Sequence, residues 1–296
     1  MHPVRALVIY IAVVFVGGAL LAPQFHGLAQ ALTKLSPKLA DEPFHRYVQN
    51  SFLLLALAGL WPLLRAFGAR SASDLGLVRP TGEWNKFLAG LAIGFISMAV
   101  LAGIAVGCGG RALPESIDGG RLAEKLVRAF GTAVVVGVFE EILFRGGIFG
   151  GIRRILDWRL ALLLSSAIYA LLHFFANARH EGPVTWTSGL ALLLPMVSGF
   201  ADWQQMIPGF FNLLLAGALL ALAYQRTGNL YFSIGLHAAW IFWLKSYRAL
   251  TVAVPDAQIW LFGTRKLIDG WLGGVVLLVT LILLMRTRFA SKDFPV

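Results

Sequence analysis

Apolar positions in this chain come in long, nearly unbroken runs rather than in alternation with polar ones. Eight runs stand out: residues 4–21, 51–67, 87–106, 129–152, 160–176, 210–224, 230–244 and 270–285. Each approaches the ~20 apolar residues that an α-helix needs to cross the hydrocarbon core of a bilayer. The period-two alternation of a membrane barrel is missing, so the runs predict helices. A ninth run, SGLALLLPMVSGF from Ser188 to Phe200, is short and holds Pro195. It predicts a re-entrant or interfacial helix rather than a span. The connections predicted between the runs are residues 22–50, with Pro23, Pro37 and Pro43, residues 71–86, with Pro80 and Gly82, residues 109–125, and residues 177–186. No internal repeat and no linker divides the chain. The expectation is an all-α polytopic membrane protein, one domain over residues 1–296, with about eight transmembrane helices and a motif-bearing core at about 129–244.

Composition agrees with the pattern. Hydrophobic residues make up 58% of the chain, charged residues only 14%, and the mean hydropathy is +0.74, whereas a soluble domain carries roughly 25% charged residues. The first run follows Met-His-Pro-Val-Arg and lacks a small-residue cleavage site, so it is expected to be a retained helix. The net charge of +10 comes from Lys and Arg placed singly or in pairs at the ends of apolar runs. That placement anchors helices among lipid headgroups; it names the bilayer as partner and argues against nucleic acid. Basic residues divide evenly between the two sides of the predicted bundle. RTRFASK near the C-terminus and LRAFGAR after the second run favour both termini in the cytoplasm, with a bacterial inner (plasma) membrane as the expected location. Cys108 is the single cysteine, which excludes an intrachain disulfide and a cysteine-rich metal site.

Candidate chemistry lies in the fourth run, where GVFEEILFRGG places Glu140, Glu141 and Arg145 in apolar surroundings. A charged side chain at bilayer depth costs roughly 2.5–3.5 kcal/mol on insertion scales, so an intramembrane cluster is a functional candidate. Glu141 and Arg145 are spaced i, i+4 and share a helical face, where they can pair. Glu140 is rotated by about 100°, toward Val136, Gly137, Leu143 and Phe144. An apolar surround and a neighbouring like charge suit Glu140 to act as a base. A buried ion-pair network that only fixes helix register is the structural alternative. Of six histidines, only His173 and His237 fall within predicted apolar helices. Residues facing inward from neighbouring helices can converge in a bundle. Two chemistries fit a Glu and two His: a catalytic zinc held by Glu140, His173 and His237 with an open position, or metal-free activation of water by Glu140 and His173 with His237 stabilising an oxyanion. His-Glu-x-x-His is absent, so the residues do not require a metal.

In order, spacing and placement these residues resemble the CPBP family, the CAAX proteases and bacteriocin-processing enzymes, which includes the Ras-converting prenyl-protein endopeptidase. Glu140, Glu141 and Arg145 match its Glu-Glu-x-x-x-Arg motif. Tyr169 and His173 match Phe-x-x-x-His with tyrosine for phenylalanine. His237 matches the start of His-x-x-x-Asn, whose last position here is Ile241. The resemblance covers about residues 129–244. It implies an eight-helix intramembrane peptidase in which Glu140 and His173 activate water and His237 stabilises the oxyanion, with Glu141 and Arg145 in support and zinc only if a metal takes part. The substrate implied is a membrane-associated peptide or protein.

Ile241 removes the family's amide, and three residues are candidate replacement donors: Ser233, one turn before His237; Trp240, with its indole N–H; and Asn212, for which an interhelical hydrogen bond is the preferred reading. Asn177 is expected to cap the helix that carries His173. Overlapping pairs Gly146/Gly150 and Gly147/Gly151 predict close approach of a neighbouring helix. Two rival functions use the same residues: a proton-coupled transporter, with Glu and His as a relay, and a non-catalytic family member acting as scaffold or immunity factor.

Overall fold

The computed structural model describes residues 3–34, 37–175, 179–200 and 203–287. Asn177 lies outside them. The chain falls into two compact units, residues 1–68 with 173–202, and residues 69–172 with 203–296.

The first unit holds α1 (Val4–Ala31), α2 (Phe44–Ala66) and the short α3 (Ser188–Met196). α1 runs on through Pro23, where a connection was predicted. Proline removes the N–H that would bond four residues back, which takes the helical partner from the Ala19 carbonyl. Gly189 of α3 lies directly against that carbonyl, so closely that a Cβ there would collide with it. A close contact thus covers the interrupted turn. Ala22, Ala29, Phe44, Tyr47, Val48 and Leu192 form the core of this unit. α3 confirms a short helix at the ninth apolar run; its nine residues are too few to span a bilayer.

The second unit holds α4 (Trp84–Gly107), α5 (Gly119–Glu140), α6 (Trp158–Leu172), α7 (Trp203–Thr227), α8 (Tyr231–Leu250) and α9 (Trp271–Arg286). α5 begins ten residues before the predicted run because Asp118 caps it, accepting the Arg121 backbone N–H at 3.0 Å. It continues beyond Glu140 as a π-helix, Glu141–Phe149, and a last turn, Gly150–Ile152. α8 is the central helix: Phe232 to Trp240 are all buried. α4 meets it backbone to backbone. A Cβ at Gly90 would strike the Phe232 carbonyl, and one at Gly235 would strike the Phe87 carbonyl. Met98, Leu101, Leu219, Leu220, Phe232, Leu236, Trp240 and Leu277 then join α4, α7, α8 and α9 in one core. Gly146 does not receive a helix as predicted. Its bare Cα faces the backbone of Leu75, in the loop between α2 and α4. That loop is tied by Asp74, whose carboxylate accepts the Arg70 and Ser71 N–H groups at 2.8 Å each. The Arg70 contact, then the Ser71 contacts, hold the Asp74 carboxyl below its ordinary range.

Among the described residues four helices are long and apolar enough to cross a membrane: Val4–Ala31, Phe44–Ala66, Trp84–Gly107 and Met206–Thr227. Trp158–Leu172 and Trp271–Arg286 are apolar but shorter. α5 with its π-helical extension falls outside this set because each 18-residue stretch of it carries at least three charged residues. α8 falls outside it because His237, Lys245 and Arg248 dilute its apolar residues, and its burial gives it protein rather than lipid as surroundings. Among the described residues the structure is all-α apart from one two-residue antiparallel pairing, Arg111 with Ala253 and Ala112 with Val252.

Candidate active site

The polar residues of the fourth run stand where regular helix gives way to π-helix. Gly150 N–H bonds five residues back, to the Arg145 carbonyl. Such wider turns recur at functional sites. Glu141 and Arg145 both lie on the π-helical stretch and are buried, with Glu141 at 0% and Arg145 at 2% exposure. Arg145 Nη1 is 2.9 Å from Glu141 Oε1, an ion pair that is not aligned as a hydrogen bond. Arg145 Nη2 donates to the Gly217 carbonyl at 3.4 Å. Its guanidinium carbon also lies 4.6 Å from the centre of the Tyr169 ring, a cation–π distance. A buried guanidinium is thereby given an anion, a carbonyl and an aromatic face, which is what charge in an apolar interior requires.

His237 reaches this trio from α8. Its Nδ1 is 2.8 Å from the same Glu141 Oε1. A carboxylate accepts and does not donate, so Nδ1 carries a proton, and in a neutral ring Nε2 then holds the lone pair. Nε2 is 3.8 Å from Glu140 Oε2 and 3.4 Å from the Tyr169 hydroxyl. Tyr169 stands edge-on to Phe144, with ring centres 5.0 Å apart. Glu140 differs from its neighbour: its side chain is 21% exposed, and its buried Oε2 has no hydrogen-bond partner among the described residues.

The three candidate donors are engaged elsewhere. Ser233 donates to the Leu230 carbonyl at 3.0 Å. Trp240 donates to Ser97 Oγ at 3.1 Å. Asn212 donates to the carbonyls of Ile268 and Gly270, both at 2.7 Å, and so fastens the turn before α9. His173 is an exposed turn residue of the first unit, one position past the end of α6. The predicted helix ran to 176; the observed one stops at Leu172. Two features escaped sequence reading. Glu141 binds His237 as well as Arg145, and Tyr169 places a hydroxyl at the imidazole. Its tyrosine-for-phenylalanine substitution was the only trace of the second.

A zinc site needs three protein ligands or more. Among the described residues no group of three or more His, Cys, Asp and Glu is arranged to hold a metal ion. Nδ1 of His237 and Oε1 of Glu141 are committed to each other, which leaves His237 Nε2 and Glu140 Oε2 as open donors in this unit, two where a zinc centre needs three. These donors by themselves do not fit a zinc centre, and the chemistry proposed for the protein is not routed through one.

Residues 122–243 match the family model "Rce1-like", type II CAAX prenyl endopeptidase Rce1-like. No curated protein and no solved structure matches the chain. The matched segment holds Glu140, Glu141, Arg145, Tyr169, His173 and His237, and over these residues the chain is similar to the Rce1-like type II CAAX prenyl endopeptidases.

Proposed function

We propose that the protein is an intramembrane endopeptidase that hydrolyses a peptide bond near the membrane with water activated by Glu140. The observation that supports this most directly is Glu140 Oε2, an unpartnered buried carboxylate oxygen 3.8 Å from His237 Nε2. In this reading Glu140 takes a proton from water as the water oxygen bonds to the scissile carbonyl carbon. The C–N bond then breaks, and the amine leaves with the proton from Glu140. Glu141 holds the His237 ring in one tautomer with its Nδ1–H bound; a neutral ring in that tautomer has no second N–H for the negative carbonyl oxygen, so the oxyanion role expected of His237 is not carried into this reading. Arg145 pairs with Glu141 and so holds its carboxylate in place. His173, four residues after Tyr169, is the second water-activating group by its match to the family motif.

The substrate class is a membrane-associated protein or peptide, and a prenylated C-terminal segment fits the family matched. We place the enzyme in a bacterial inner membrane with both termini in the cytoplasm. A proton-coupled carrier is not favoured, because the matched family is one of proteases. The test is cleavage of a fluorogenic peptide with a prenylated C-terminus by purified protein in micelles. Cleavage that Glu140→Gln abolishes supports the reading; equal rates in the wild type and this variant overturn it.

A further inference from the structure

His237 has two ring nitrogens and unequal neighbours. Glu141 fixes one of them: at 2.8 Å the carboxylate accepts the Nδ1 proton. Among the described residues the other nitrogen has two groups in reach, Glu140 Oε2 at 3.8 Å and the Tyr169 hydroxyl at 3.4 Å. If Nε2 also carried a proton, the imidazolium would pair with Glu140 and take up the oxygen that the proposed reaction needs. If Nε2 keeps its lone pair, it can only accept, and the phenol is the neighbour with a proton to give.

Tyr169 is well placed for that part. It is buried at 4% exposure, where a hydroxyl is expected to hydrogen-bond. Its ring is fixed on two sides, by the Arg145 guanidinium 4.6 Å from its centre and by Phe144 edge-on at 5.0 Å. Ile241, one helical turn after His237, brings no polar group to the imidazole.

We propose that Tyr169 is a positioning residue: its hydroxyl donates to His237 Nε2, holds the ring as the neutral Nδ1–H tautomer, and so keeps Glu140 free to accept a proton from water. The functional part of this inference rests on the endopeptidase reading; the hydrogen bond itself does not. The arrangement is a chain, Arg145 to Glu141 to His237 to Tyr169, in which the cation at one end also clasps the phenol ring at the other.

The experiment reads the imidazole directly. Full-length protein labelled with ¹⁵N-histidine is purified in micelles, and His237 is assigned by its loss in His237→Gln. In the wild type, Nδ1 should be protonated and Nε2 should show the shift of a hydrogen-bonded acceptor. In Tyr169→Phe the Nε2 shift should move toward that of a free lone pair or of a mixed tautomer. The same variant should lose turnover by about tenfold, the worth of one hydrogen bond, with KM unchanged. A merely structural tyrosine would leave the His237 spectrum as it was, and that result overturns the proposal. So does a wild-type spectrum with the proton on Nε2. Should Tyr169→Phe fail to fold, the wild-type shifts decide alone. If the wild type and Glu140→Gln cleave equally, the endopeptidase reading fails, while the spectra still decide whether Tyr169 holds His237.

Discussion

Glu140 and Glu141 are adjacent in sequence and differ in every respect that matters to their chemistry. Glu141 is fully buried and shares one oxygen between Arg145 and His237. Glu140 is partly open and has an oxygen with no partner among the described residues. Glu140→Gln should therefore leave the melting temperature in detergent unchanged and lower turnover by about 10²–10⁴-fold, the usual loss for a general base. Glu141→Gln strands a buried guanidinium, and breaking a buried ion pair from one side costs roughly 3–5 kcal/mol. It should melt early and lose activity, as should Arg145→Ala. An early-melting Glu140→Gln beside a stable but inactive Glu141→Gln would reverse the assignment. Asn212 provides a second contrast. Its amide binds the carbonyls of Ile268 and Gly270, so Asn212→Ala should destabilise by about 1–3 kcal/mol while turnover per folded molecule stays at the wild-type level. A stable variant with lost turnover would return Asn212 to the reaction. The i, i+4 pairing of Glu141 with Arg145 was legible in the sequence because helical spacing alone sets it. The bond from Glu141 to His237 was not, since 96 residues separate them and helix packing alone joins them.

At the scale of elements, the regular helices follow from their apolar runs, while the departures from regularity need partners. Pro23 predicts a helix end, yet α1 continues to Ala31, and Gly189 of another helix packs against the carbonyl that the proline leaves without its helical donor. The π-helical stretch after Glu140 has no 3.6-residue pattern to announce it; two glycines and an ion pair share its nine residues, and two more glycines follow directly. Of the small residues singled out after Arg145, Gly146 meets the backbone of Leu75 and Gly150 the carbonyl of Arg145 rather than a neighbouring spanning helix. Gly90 and Gly235 bring helices together, across the contact of α4 with α8. Gly90→Leu adds a side chain where even a Cβ would strike the Phe232 carbonyl. Backbone cannot rotate out of the way as a side chain can, so the cost should be at least the 1–3 kcal/mol of an overpacked core. A thermal melt of the variant in micelles measures it, and a melting temperature equal to that of the wild type would contradict the packing described. Gly103, with open space around it, is the control and should tolerate leucine.

For the whole molecule, long apolar helices carry large exposed hydrophobic side chains along their length, among them Leu53, Leu57, Phe95, Ile96, Phe130 and Val135. Water would not tolerate such surfaces on a monomer, and a bilayer requires them. The protein should stay in the membrane pellet after an alkaline carbonate wash and leave it only with detergent; release by the wash would refute membrane integration. This much the sequence determined by itself, because transfer of apolar residues into lipid depends on composition and run length and hardly on neighbours. It also determined which residues are chemically out of place, since a charge in an apolar run is costly wherever it lands. What only the tertiary structure decided is which oxygen of which carboxylate is committed and which is left open. That outcome depends on α8 bringing His237 to Glu141, and on α6 bringing the Tyr169 hydroxyl to the same ring, contacts of a few ångströms between residues far apart in the chain. Distances of that kind are set by how helices pack, and no pattern along a single helix contains them.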